Sequence, residues 1–251
     1  MAAKIVKPEK PKVSGWLPGA TTVLRVQDAL YGSDALTNWA GRTAATAAIE
    51  ALVKEELGPD HALERAMNAL TTARDRGTDV HAGIEAALKD EDHLPTTATS
   101  AYWYGWSRFL IKEKPEFIAT ERKVINPTIG YGTTMDIVAR LRGEVAQVDI
   151  KSGSVKETHV LQLAAGAMAE KWDAGGGVAR NKWHQYQLVA GPTDDPVPLE
   201  AHYVLQLDPE APQGYRLIQM DVDPEREHFA FLVATYHRLK EWKKTREAVA
   251  A

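Results

Sequence analysis

At Glu116 the chain changes its periodicity, and that change constrains the fold more than any other feature. The segments "EFIATERKVINP", "YGTTMDIVARLRG" and "EVAQVDIKSG" alternate or run apolar, are rich in β-branched residues, and are separated only by turn residues. They read as three antiparallel strands. Everything before them is helical in pattern. "DALTNWAGRTAATAAIEALVKEEL" (34–57) is alanine-rich with helical spacing and is stopped by "GPD" at 58–60. A second stretch runs from His61 to Arg76 with Leu63, Met67 and Leu70 on one face. A break is expected at Gly77, with Thr78 as N-cap of a new helix burying Val80, Ile84, Ala87 and Leu88. Residues 90–99 read as a polar loop, and "SAYWYGWSRFLIKEKP" as a helix closed by Pro115.

After the three strands, "KETHVLQLAAGAMAEKW" is expected to be a helix ended by the glycines at 175–177. "HYVLQLD" and "YRLIQMDVD" follow as two more strands, and the chain closes with a helix that carries Pro224 at its start, where proline is tolerated. The predicted organisation is a flexible lead over 1–15 and one domain over 16–251. Within it, 16–114 is mainly helical and 115–251 carries the sheet core and C-terminal helix. The fold class is α/β: a central mixed sheet flanked by helices, with a helical N-terminal half.

Composition matters mainly for what it removes. The 251 residues include no cysteine, which excludes disulfides, thiol catalysis, iron–sulfur clusters and thiolate zinc sites and fits a reducing compartment. The N-terminus is charged and proline-broken rather than signal-like. The run Val160–Ala169 is too short to span a bilayer. A cytoplasmic protein that engages no membrane is the expectation, in a bacterial host cell if the chain is phage-encoded. The net charge of −4 argues against a protein that coats nucleic acid, but not against a local basic groove around an acidic site. No G-x-x-x-x-G-K-[ST], H-E-x-x-H or G-x-S-x-G pattern occurs, so ATP-driven, zincin and serine-hydrolase chemistries fall away.

The chemistry is concentrated at the end of the third strand. Asp149 and Lys151 stand two residues apart, so their side chains leave the same face, about 7 Å apart along the chain. A hairpin through "RLRGEV" brings Asp136 on the preceding strand close to Asp149. Neighbouring carboxylates raise each other's pKa unless a positive charge lies between them. A magnesium ion, which prefers hard oxygen ligands, answers that need. Taken alone, the Asp-x-Lys triplet reads as a surface ion pair at a strand end.

The ordered set "RGTDVHAGIE" (76–85), "ATERKV" (119–124), "GYGTTMDIVARL" (130–141), "VDIKSGS" (148–154) and "LQLAAGAMA" (161–169) resembles the PD-(D/E)XK nuclease superfamily, in its RecB-like exonuclease branch. That branch includes CRISPR-associated and phage-encoded exonucleases. The resemblance implies a restriction-endonuclease-like core and a metal-dependent DNA nuclease, an exonuclease rather than a sequence-specific endonuclease. It assigns Mg²⁺ or Mn²⁺ to His81, Asp136, Asp149 and Ile150, and catalytic roles to Asp136, Asp149, Lys151, Glu121 and Gln162. Lys151 would position or activate the attacking water, Glu121 would hold a second metal or water, and Gln162 would meet the DNA backbone or the lysine.

DNA with linear ends or single strands is the implied partner, in recombination or repair, with a recombinase or helicase working alongside left open. Two departures stand out: Gly166 occupies the place of a family tyrosine that contacts DNA, and without cysteine no iron–sulfur cluster is expected. The alternatives are a non-catalytic DNA-binding or scaffold module of the same fold, a structure-specific endonuclease, and a small-molecule hydrolase. "AYWYGWSRF" (101–109) reads as core, with base stacking at a DNA entrance as its alternative.

Overall fold

The computed structural model describes residues 15–31, 44–51, 59–89 and 95–250. The expected lead over 1–15 lies almost wholly outside them. Of the alanine-rich segment 34–57 only 44–51 is described, and it is helical. Among the described residues no helix is long and apolar enough to cross a membrane.

Helices α1 (Ala20–Tyr31), α2 (Pro59–Leu88) and α3 (Ser100–Glu113) precede the meander β1 (Glu116–Asn126), β2 (Tyr131–Leu141) and β3 (Glu144–Lys151). Then come α4 (Glu157–Ala167), the short strands β4 (Lys171–Asp173), β5 (Val178–Arg180), β6 (Tyr186–Leu188) and β7 (Thr193–Asp194), the strands β8 (Ala201–Leu207) and β9 (Tyr215–Gln219), and α5 (Asp223–Ala250). Seven strands form one sheet in the order β7-β4-β1-β2-β3-β8-β9, while β5 and β6 form a separate hairpin. The sheet is mixed: β3 and β8 are parallel, and the other pairs are antiparallel. The fold is thus α/β with helices on both faces of a mixed sheet, consistent with a restriction-endonuclease-like core.

Strand alternation explains where the core sits. Ile137, Ala139 and Leu141 of β2, Ala146, Val148 and Ile150 of β3 and Tyr203, Leu205 and Leu207 of β8 share one face. Val80 and Ile84 of α2 and Trp106 and Phe109 of α3 pack against it. On the opposite face Val204 of β8 meets Leu163 and Ala164 of α4, and α4 in turn packs with α1 and α5 through Leu161, Val23, Phe229 and Leu232. The Tyr131 hydroxyl donates to the Ala165 carbonyl at 2.6 Å, tying α4 to the start of β2. The aromatic run on α3 is core, as its spacing implies: Trp106 and Phe109 are stacked and buried, and only Tyr104 of its large aromatics is well exposed.

Four local expectations need correction. Gly77 does not break a helix; α2 runs unbroken through it. An isolated glycine costs only about 1 kcal/mol relative to alanine, which the anchoring of Val80 and Ile84 outweighs. Among the described side chains of α2 before Gly77, Ala62 and Ala66 are buried while Leu63 and Met67 are exposed, Leu70 lying outside them, and farther on Ala87 is exposed too. The helix after β3 stops at Ala167 rather than at 175–177, because Trp172 is buried and Lys171–Asp173 form a sheet strand between β1 and β7. The glycines instead form a turn capped by Asp173, whose Oδ1 accepts from the Gly176 and Val178 amides at 2.8 and 3.0 Å.

Candidate functional site

The meander places three carboxylates side by side. Ile137 pairs with Val148, so Asp136 and Asp149 are the next facing positions of β2 and β3. Thr120 pairs with Ile137 and Arg122 with Met135, so Glu121 faces Asp136 from β1. Both strands turn over at this point. Ala119 and Val124 reach the same apolar cluster although their positions differ in parity, and so do Met135 and Val138. Glu121 itself has φ +46°, a conformation uncommon for a residue with a side chain. Strain of this kind persists only where the surroundings hold it in place. The Asp136 carboxylate accepts a hydrogen bond from the Ile150 amide at 2.8 Å, replacing a main-chain partner in the ladder.

Lys151 lies 2.7 Å from Asp149 (Nζ–Oδ2), both side chains mostly buried. Burial works against the Lys151 ammonium, but Asp149 and Asp136 together hold its pKa above the ordinary lysine value. Asp149 moves the other way. Burial pushes its carboxyl up, to about 6, Lys151 pulls it down and Asp136 repels it. His81, from α2, stands with Nδ1 3.9 Å from Asp136 Oδ2 and hydrogen-bonds the Ile150 main chain. Burial holds it below the usual histidine pKa, so at neutral pH it is an uncharged nitrogen donor. Glu121 is pushed up to about 7 by burial, then by Asp136 and Glu85.

These groups line one cavity of about 790 Å³. Four carboxylates (Glu85, Glu121, Asp136, Asp149) face it against two permanent cations, Lys151 and Arg180. Gln162 lines it too, its buried Oε1 without a hydrogen-bond partner, and so does Gln147, with the same deficit. Every side chain expected at the site therefore reaches this cavity: His81, Glu121, Asp136, Asp149, Lys151 and Gln162. Ile150 is the exception, contributing its main chain while its side chain sits in the core.

The departure at Gly166 has a physical reason. A Cβ there would lie 2.2 Å from the Gln147 side-chain nitrogen, so α4 can seat over Gln147 only because position 166 has no side chain. Sequence reasoning missed Gln147, the alternate residue of β3 on the Asp149 face, which strand periodicity alone points to. It also missed Arg180, His184 and Tyr186 of the β5–β6 hairpin, and His159 on α4. His159 is held well below its usual pKa, at about 4, by burial and then by Lys151.

The donor chemistry fits a divalent cation. Two carboxylates from adjacent strands, an uncharged imidazole and the Ile150 main chain lie beside one carboxylate-rich cavity, where burial first and then Asp136 raise Glu121, and burial raises Asp149 against the pull of Lys151. Among the described residues, however, no group of three His, Asp or Glu side chains is gathered at a common ligating point. Asp149 is instead turned onto Lys151.

A pH dependence follows. The folded protein holds the Glu121 proton more tightly than the unfolded chain between its ordinary 4.5 and about 7. Glu121 therefore contributes a stability to the metal-free protein that is lost as pH rises through that window, opposed over much of it by His159 and His202, which burial holds uncharged. Glu121→Gln should remove that loss and add on the order of 1 kcal/mol at pH 8, after allowing for solvent reaching an open cavity. Thermal denaturation of both proteins in EDTA from pH 5 to 8 checks this, and parallel profiles would refute it.

Neither a protein-family model nor a curated protein sequence matches the chain.

Proposed function

We propose that the protein is a metal-dependent deoxyribonuclease, acting as an exonuclease on DNA. The observation that carries this reading is the Asp136–Asp149–Lys151 cluster, set on adjacent strands in one open cavity with His81 and Glu121 beside it. A structural ion pair does not need an excess of carboxylates around it. An enzyme that cuts a phosphodiester does, because the excess is balanced by a cation only at the moment of use.

Asp136, Asp149, His81 and the Ile150 main chain would hold Mg²⁺ or Mn²⁺, with Glu121 available for a second ion or a water. The bound ion supplies Lewis-acid polarisation of the scissile phosphate and a lower pKa for water. Lys151, kept charged by its two aspartates, orients the attacking water and donates to the phosphate oxygens on which charge grows. Glu121, titrating near neutrality, accepts a proton at its carboxylate. Gln162 turns its unpaired oxygen toward the same space and positions water or the lysine.

The test uses linear and covalently closed circular DNA, single- and double-stranded, with Mg²⁺, with Mn²⁺ and with EDTA. Loss of linear DNA alone, abolished by EDTA, is the expected result. Intact DNA under both metals would defeat catalysis and favour a non-catalytic DNA-binding module. Cutting of closed circles would make the protein an endonuclease.

A further inference from the structure

We infer that the tip of the β5–β6 hairpin is a stacking platform for an unpaired base of the DNA strand that enters the cavity. The inference rests on the nuclease reading and names the form of its substrate: a terminus with single-stranded character rather than a blunt end. Arg180 and His184 line the cavity, and Trp183 stands between them in sequence at the hairpin tip. Its indole is 69% exposed, more than any other large apolar side chain described. The Lys182 ammonium sits 5.0 Å from the ring centroid, over one face. A planar base has the other.

An exposed tryptophan on a loose loop would be an indifferent platform; this one is held. Asn181 organises the turn: its side-chain oxygen accepts from the Trp183 and Gln185 amides at 2.9 and 3.0 Å, and its side-chain nitrogen donates to Gln185 at 2.9 Å. The hairpin is also bolted to the body. Leu17 and Tyr186 exchange two main-chain hydrogen bonds, at 2.7 and 2.9 Å. Bare glycines accept it on two sides: a Cβ at Gly19 would lie 2.4 Å from the His184 carbonyl oxygen, and one at Gly132 2.3 Å from the Tyr186 ring. A ring fixed in advance loses little freedom when a ligand stacks on it.

The chemistry of the tip selects the occupant. Lys182 covers one face of the indole and Arg180 lies over the Tyr186 ring of the same hairpin, in a chain of net charge −4, and a polyanion with flat faces answers both features. Base–aromatic stacking tolerates any sequence and requires the base to be unpaired. A paired end offers phosphates to the cations but no free face to Trp183.

Binding is measured in EDTA, apart from catalysis, by fluorescence anisotropy of labelled oligothymidine and of a blunt duplex of matched length. Trp183→Ala should weaken oligothymidine binding about 10-fold and leave the blunt duplex nearly unchanged, while Trp183→Phe retains most of the affinity. Equal oligothymidine affinity for Trp183→Ala and wild type overturns the inference, as does an equal loss on the blunt duplex. Wild type that binds oligothymidine through Trp183 but hydrolyses nothing with either metal would keep the platform and remove the nuclease. Wild type that hydrolyses DNA with Trp183 dispensable for binding would do the reverse.

Discussion

Lys151→Ala is expected to lower DNA hydrolysis by about 10²- to 10³-fold, the usual loss when one preorganised stabiliser of developing charge is removed. The argument rests on where the ammonium is kept. It sits 2.7 Å from Asp149, and against the cost of burial Asp149 first and Asp136 second hold it charged, so its charge is fixed before any phosphate arrives. The loss should appear in turnover while binding of uncut DNA in EDTA stays within a few-fold. Lys151→Arg should rescue little, because a planar guanidinium cannot replace a compact ammonium in a buried contact. A Lys151→Ala protein that digests linear DNA at the wild-type rate would remove the assigned role.

Asp149→Ala should produce the largest change in stability, about 3 kcal/mol in urea unfolding. It strands a buried cation, and breaking a buried pair from one side costs more than replacing the pair. The cost stays toward the lower end of that range because Asp136 still attracts the ammonium. The double variant Asp149→Leu with Lys151→Met should recover most of the loss, since it leaves no unpaired charge. If Asp149→Ala unfolds at the wild-type urea concentration, the pair does not hold the buried Lys151 ammonium as described.

Much of this was legible in the sequence, and what was not has definite physical causes. The strands of the meander are long enough for periodicity to show, and the short β2–β3 turn sets a register that makes Asp136 and Asp149 neighbours. Nothing in a one-dimensional pattern signals that Glu121 takes a left-handed backbone or that two strands turn over beside it. The β5 and β6 strands are three residues each, too short for alternation to register, so Arg180, His184 and Trp183 looked like loop. Gly77 and Gly166 were misread or left unexplained for a shared reason. A glycine's role depends on what lies against it: Gln147 crowds position 166, while a Cβ at position 77 would make only ordinary contact.

The parallel junction of β3 with β8 bears on how the molecule assembles. The three acidic positions come from strands consecutive in the chain and joined by short turns, whereas Asp149 pairs with Val204 and Lys151 with Gln206 across more than fifty residues. Local pairings close quickly, and distant parallel ones wait for the intervening loop entropy to be overcome. The acidic row is therefore laid down early and in water, where its mutual repulsion is screened. Its desolvation comes late, when β8 docks along β3. On that order, the docking of β8 along β3 and the burial of the acidic row are one event.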